Sequence, residues 1–199
     1  MRWDKLFDDL ESQLEREITA DDLELDAEEE RLRLGRLSLR DRIESLQARS
    51  AAEAPLTLGV TFRTGLRLRV RPVILGRDWM SADIVDDSGR SAQCIIPFAA
   101  VAGVSLAASQ ITPSLATTPA SGHPSLSQRL GLSYVLRDLC RRRRAVTLVL
   151  ESGEVHGTID RVGRDHLDLA VHERDQVRRE TAVSEYRLVP FAGLVIVKP

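Results

Sequence analysis

The chain has 199 residues, 43% of them hydrophobic and 29% charged, which is typical of a globular protein with a packed core. Its net charge of -2 gives no overall attraction to nucleic acid or to an anionic membrane. No apolar run reaches the ~20 residues of a membrane span, and the first residues lack the build of a signal peptide, so we expect a cytoplasmic protein. Two widely separated cysteines, Cys94 and Cys140, fit a reducing compartment and predict neither a zinc site nor a disulfide scaffold.

The charge and the apolar spacing of residues 1–35 predict an acidic helical segment. Residues 1–50 carry 15 acidic and 9 basic side chains, whereas the remainder of the chain has a basic excess. Apolar residues recur at helical spacing in a first helix over 3–18, and a second helix over 20–35 ends at Gly35. The apolar stripe of the first helix either packs on the rest of the chain or binds a partner protein. Its members are Trp3, Leu6, Phe7, Leu10 and Leu14.

The apolar pattern of residues 36–106 predicts a helix followed by about five short strands. The helix runs from Leu39 to about Arg49, with Leu39, Ile43 and Leu46 facing inward. Strands of alternating apolar side chains follow, and period-2 apolarity between turns is typical of an antiparallel meander. The glycine-containing turns lie at residues 63–65, 76–78 and 86–89.

A second unit, residues 126–199, follows a segment without charge. Residues 107–125 contain three prolines and little apolar surface to offset the entropy of ordering, so we predict a mobile linker. A helix from Ser127 to about Arg143 comes next. Residues 144–171 then predict three short strands, with a turn at residues 151–154 and a break at residues 163–165.

The two units are internally similar. The helix start Arg36-Leu37-Ser38-Leu39 parallels Arg129-Leu130-Gly131-Leu132, 93 positions later. Gly76-Arg77-Asp78-Trp79-Met80 parallels Gly163-Arg164-Asp165-His166-Leu167 at a separation of 87, and Ile96-Pro97-Phe98-Ala99 parallels Val189-Pro190-Phe191-Ala192 at 93. Three matches in the same order indicate a duplicated unit.

The second unit resembles the first motif of the Sm-like (LSm) family. The resemblance lies in a helix, Leu-rich strands, Gly157-Thr158-Ile159 and Asp165-His166-Leu167-Asp168-Leu169, and it is weaker over 36–106. It implies a five-stranded, strongly bent sheet closed into a small Sm-like or SH3-like barrel behind a helix. We therefore expect a mainly β protein with helices (α+β), in which the acidic segment 1–35 precedes barrels at 36–106 and 126–199 joined by the linker.

The resemblance also implies partners. Sm-like proteins assemble into rings by pairing the fourth strand of one barrel with the fifth strand of the next, and they bind uridine- or adenine-rich RNA in the pore. Two barrels in one chain either build a ring from half as many chains or pair with each other. The base-stacking and base-bonding positions correspond to His166 and Asp168 in the second unit and to Trp79 and Ser81 in the first. Trp79 also fits a buried core or interface position.

The dense basic cluster is a second candidate site for RNA. Arg141, Arg142, Arg143 and Arg144 follow one another, and Arg137 lies one helical turn earlier. At a helix C-terminus these side chains either contact phosphates, which makes binding salt-dependent, or complement the helix dipole at the surface.

We find no catalytic order of Ser, His and Asp and no phosphate-binding glycine motif, and we expect no enzyme activity, cofactor or metal. The sequence favours a cytoplasmic binding or scaffold protein that assembles through strand edges and helices, with copies of itself or other proteins as partners. The alternative is an RNA-binding protein that uses the arginine cluster and Trp79.

Overall fold

The computed structural model describes residues 22, 24–50, 55–86, 91–116, 126–174 and 183–199. The chain divides into two compact parts, residues 1–39 and 40–199, and this division differs from that of the two repeated units. In residues 1–39, a helix (α1) over residues 24–36 continues one residue past the predicted end at Gly35. Leu25 and Leu32 are exposed on α1. The predicted helix over 3–18 lies outside the described residues, with its stripe of Trp3, Leu6, Phe7, Leu10 and Leu14.

In the described part of the chain, the elements that follow α1 are helices and short strands. The helices are α2 (Leu39–Arg49), α3 (Ala108–Leu115), α4 (Leu126–Arg129) and α5 (Leu132–Arg141). The strands of the first half are β1 (Leu58–Phe62), β2 (Arg67–Leu75), β3 (Trp79–Val85), β4 (Ser91–Pro97) and β5 (Val101–Ser105). Those of the second half are β6 (Ala145–Leu150), β7 (Gly153–Val162), β8 (His166–Val171), β9 (Glu185–Pro190) and β10 (Leu194–Lys198).

The ten strands form one antiparallel sheet in the order β5-β1-β2-β3-β4-β10-β6-β7-β8-β9. The α+β class is therefore confirmed, but the sheet is open: its outer strands are β5 and β9. Two separately closed barrels were predicted, and they are not confirmed. The physical reason is that β4 forms hydrogen bonds with β10 of the second half, so the two halves share one sheet.

The internal repeat extends to strand register. In the first half Leu75 lies opposite Met80 and a bulge interrupts the β2–β3 pairing between Pro72 and Ile74. In the second half Val162 lies opposite Leu167 and the corresponding bulge lies between Ile159 and Arg161. The β1–β5 and β6–β10 pairs also carry bulges at matching places. Because bulges are specific features of a strand pair, their repetition supports a duplicated unit.

In each half, the turn between the first two strands contains a glycine with a positive φ angle. Gly65 between β1 and β2 has φ +85°, and Gly153, where β7 begins, has φ +127°. Residues with a Cβ rarely adopt these values, so glycine permits both hairpins.

Each half has its own apolar core. The first core contains Ile43 and Leu46 of α2, which were predicted to face inward, and Leu58, Val60 and Phe62 of β1. Leu39, predicted to face inward as well, is exposed. The second core contains Leu132, Leu136 and Leu139 of α5 with residues of β6, β7 and β8. The predicted helix over 127–143 is in fact interrupted at Leu130 and Gly131.

Part of the predicted linker is helical. Helix α3 occupies residues 108–115, and its Ser114 is fully buried. The guanidinium of Arg42 donates to Ser114 Oγ at 2.7 Å, and the Ser45 hydroxyl donates to the Ala116 carbonyl at 2.9 Å. These polar contacts hold α3 on α2, which the charge-free composition did not indicate. Within the described residues no helix is long and apolar enough to cross a membrane.

Candidate assembly interface

The junction between the two halves is a pair of antiparallel strands. Ile95 of β4 lies opposite Val197 of β10, and both side chains are buried. Each strand also contributes to the core of the other half: Ile95 packs in the second core, whereas Val195 and Ile196 pack in the first. The junction therefore has a continuous apolar interior.

A turn in the first half holds the start of α5. The Arg77 amide and the Trp79 indole Nε1–H both donate to the Leu130 carbonyl at 3.0 Å. The Leu132 amide donates to Asp78 Oδ1 at 2.7 Å. The residue before the helix, Gly131, makes no side-chain cap, so the Asp78 carboxylate supplies the missing acceptor from the other half of the chain. We call residues 77–79 the first turn.

Among the described residues, the outer strands repeat the positions of the junction without a strand partner on their outer side. By the repeat, Leu188 of β9 corresponds to Ile95 and Val104 of β5 corresponds to Val197. Leu188 is 70% exposed, whereas Ile95 is 6% exposed. Tyr186 on β9 is also exposed. Ile95, which is buried at the junction, thus has an exposed counterpart at the edge of the sheet, whereas Val104 is partly buried and packs against the first core.

Residues 164–166, which we call the second turn, repeat two backbone hydrogen bonds of the first turn. The Gly76 amide donates to the Trp79 carbonyl and the Phe98 amide to the Asp78 carbonyl. In the same way, the Gly163 amide donates to the His166 backbone carbonyl, and the Phe191 amide donates to the Asp165 backbone carbonyl. Unlike the first turn, the second turn makes no hydrogen bond to a helix start among the described residues.

The side chains of the second turn lie at the surface. His166 Nδ1 lies 2.8 Å from Asp165 Oδ1, and this hydrogen bond lowers the pKa of the Asp165 carboxyl below its usual value. The carboxylate therefore keeps its negative charge to lower pH than an ordinary aspartate.

The residues predicted to bind a base lie in two pairs, Trp79 with Ser81 in the first half and His166 with Asp168 in the second. Trp79 is 5% exposed and its ring packs in the second core, so the condition for stacking, an accessible ring, is not met there. Ser81 Oγ accepts the Ile74 amide at 3.2 Å. His166 is exposed, and Asp168 lies 3.6 Å from the Arg161 guanidinium on a groove beside β9. The carboxylate of Asp168 is thus already engaged by a cation.

The arginine cluster at the end of α5 is largely paired with acids. Arg141 and Arg142 each donate to the Asp138 carboxylate at 2.7 Å, and these hydrogen bonds lower the pKa of Asp138. Arg143 donates to Asp160 Oδ1 at 3.0 Å. Arg137 lies 3.5 Å from the Gly163 carbonyl, which places the cluster beside the second turn.

Comparison with protein-family models, with curated proteins and with solved structures finds no match for this chain. Among the described residues no three His, Cys, Asp or Glu side chains are grouped so that they could hold a metal ion.

Sequence patterns did not indicate the residues that form the junction. Ile95 and Val197 belong to no motif, because a strand that pairs within the chain has the same pattern as one that pairs between chains, and Asp78 was noted only as part of a repeated segment. The signal that points to them is the repeat, once the equivalent positions are compared for burial.

Proposed function

We propose that this chain is a non-enzymatic assembly protein whose outer strands, β5 and β9, pair with strands of other chains, copies of itself foremost. The observation that carries the proposal is the burial difference between equivalent positions: Ile95 is buried at the junction of the two halves, and Leu188 is exposed at the edge. An unpaired edge presents rows of backbone donors and acceptors that a further strand can satisfy.

The internal junction is the template for pairing between copies. In it, a fourth strand (β4) meets a fifth strand (β10). The outer edges are a fourth strand (β9) and a fifth strand (β5), so the same pairing joins β9 of one copy to β5 of the next. Such contacts are head to tail, and they close into a ring or continue as a filament according to the rotation between copies.

Pairing between copies is expected to be weaker than the internal junction. Val195 and Ile196 of β10 correspond to Ala102 and Gly103 of β5, which offer much less apolar surface. Because the hydrophobic contribution scales with the apolar area buried, assembly is expected to be reversible and concentration-dependent.

The Sm-like interpretation belongs to the same proposal. Within each half the strands follow the order fifth, first, second, third, fourth, and a helix precedes the first strand; both features support it. We propose that the five strands of each half form a small, strongly bent sheet, as in Sm-like proteins. The binding role of the apolar stripe from Trp3 to Leu14 stays a prediction.

The proposal is tested by the mass of the particle in solution. Light scattering coupled to size exclusion, across a wide range of protein concentration, is expected to show a mass that rises with concentration. Leu188→Lys places a charge in the proposed strand pair and is expected to leave a monomer at every concentration. Tyr134→Lys, an exposed position on α5, is the matched control and is expected to assemble like the unchanged chain. A chain that stays monomeric throughout would contradict the proposal.

RNA binding is the second candidate function, and one observation favours it. The side chains of Arg141, Arg142 and Arg143 stay at least 60% exposed although they are paired. With Arg137 and Arg144, five guanidinium groups face two carboxylates, so the end of α5 keeps a positive surface.

Filter binding of poly-U and poly-A RNA at two salt concentrations tests this candidate. Phosphate contacts predict retention that falls steeply as salt rises, and a double Arg137→Ala, Arg144→Ala variant should show a shallower dependence on salt. Retention that is absent, or equal at both salt concentrations, would exclude RNA binding by this surface.

A further inference from the structure

The second turn, residues 164–166, is equivalent to the first turn, which binds the start of a helix. In the first turn the equivalent residues make three hydrogen bonds to residues 130 and 132, with donor–acceptor distances of 2.7–3.0 Å. The Arg164 amide, which corresponds to the Arg77 amide, makes no hydrogen bond among the described residues. In the second turn the Asp165 side chain is 85% exposed, whereas the equivalent Asp78 side chain in the first turn is 51% exposed.

The chain contains one further helix start of the type that the first turn holds. Leu130-Gly131-Leu132, which the first turn contacts, follows Arg129, and Leu37-Ser38-Leu39 follows Arg36 in the same arrangement. The burial of the two leucines that begin the helices differs: Leu132 is 5% exposed and Leu39 is 39% exposed. The helix that Leu39 begins, α2, has 11 residues, and the first amides of a helix have no acceptor within the helix itself.

We infer that the second turn of one copy binds the start of α2, residues 37–39, of the next copy in the assembly. The inference rests on the proposed function, since the pairing of β9 with β5 is what brings the second half of one copy against the first half of the next. In this contact the Arg164 amide donates to the Leu37 carbonyl and the Asp165 carboxylate accepts the Leu39 amide.

The contact repeats the internal arrangement in direction as well as in chemistry. At the internal junction the first half supplies a fourth strand and a turn, and the second half supplies a fifth strand and a helix start. Between copies the second half supplies β9 and the second turn, and the first half supplies β5 and the start of α2. The helix contact makes the pairing specific to one register, because a slipped strand would move the turn away from the helix.

The test compares association constants from sedimentation for three variants. Asp165→Ala is expected to weaken association about tenfold, the size of a lost helix cap, while the thermal unfolding of the dilute monomer stays unchanged. Glu173→Ala, an exposed carboxylate of the same half outside the turn, is the matched control and should associate normally. Leu188→Lys reports on the strand pair alone.

Hydrogen exchange gives a second, local measurement. The amides of Arg164 and Leu39 are expected to gain protection in the assembled chain relative to the dilute chain, and to lose that gain in Asp165→Ala. Association that depends on Leu188 but is unaffected by Asp165→Ala, without protection at these amides, would overturn the helix contact and leave the proposed function standing. A chain that never associates would overturn both.

Discussion

Replacing Trp79 by alanine is expected to destabilise the folded chain by about 3–5 kcal/mol, the range for a large aromatic side chain removed from a core. The ring is 5% exposed, it packs with α5 in the second core, and its Nε1–H donates to the Leu130 carbonyl. The substitution therefore removes apolar contacts and a hydrogen bond across the junction. Denaturant unfolding followed by circular dichroism measures the loss.

His166→Ala is the matched control for Trp79→Ala, because His166 occupies the equivalent position in the second turn. Its side chain is exposed, so its removal is expected to change the free energy of unfolding of the monomer by less than about 0.5 kcal/mol. Equal effects of the two substitutions would show that Trp79 does not hold the halves together.

Ile95→Lys is expected to be the most damaging single change at the junction, with a loss of several kcal/mol or a chain that fails to fold. Ile95 is buried opposite Val197, and a lysine there has to lose its charge or carry an unpaired charge into an apolar interior. The measurement is the urea midpoint of unfolding.

Leu188→Lys serves as the control, since Leu188 is the exposed equivalent of Ile95. In dilute solution its midpoint is expected to match that of the unchanged chain, because an exposed lysine needs no desolvation. A large loss of stability in the dilute Leu188→Lys chain would mean that β9 is not a free edge.

Local patterns predicted most of the strands and turns. Alternating apolar residues and the glycines at positions 65 and 153 indicated the hairpins, which the structure confirms. The three repeated segments indicated the duplication that the bulges support. The pattern of residues 107–116 was misleading, because the burial of Ser114 against α2 depends on partners far away in sequence, and the rest of the predicted linker, 117–125, lies outside the described residues.

The junction was beyond the reach of local patterns. An antiparallel edge strand has the same alternation whether its partner is β10 of the same chain or a strand of another copy, so the sequence left both pairings open. Trp79 shows the same ambiguity: an aromatic side chain at that position suits a stacking platform or a buried anchor. Its burial follows from the position of Leu130, 51 residues later, which no spacing rule specifies.

Disulfide trapping between copies tests the central claim, that the internal junction is repeated between chains. Since Ile95 lies opposite Val197, Leu188 of one copy is expected opposite Val104 of the next. Directly opposed residues of antiparallel strands have Cα atoms about 4.5–5.5 Å apart, within the range of a disulfide. In a Cys140→Ala background, which leaves only the buried Cys94, mixing Leu188→Cys with Val104→Cys should give a covalent dimer on mild oxidation.

The register control is a mixture of Leu188→Cys with Ala102→Cys, two positions along β5, which should trap much less. We predict efficient trapping for the pair of positions 188 and 104 alone. Equal trapping of both pairs, or of neither, would contradict it.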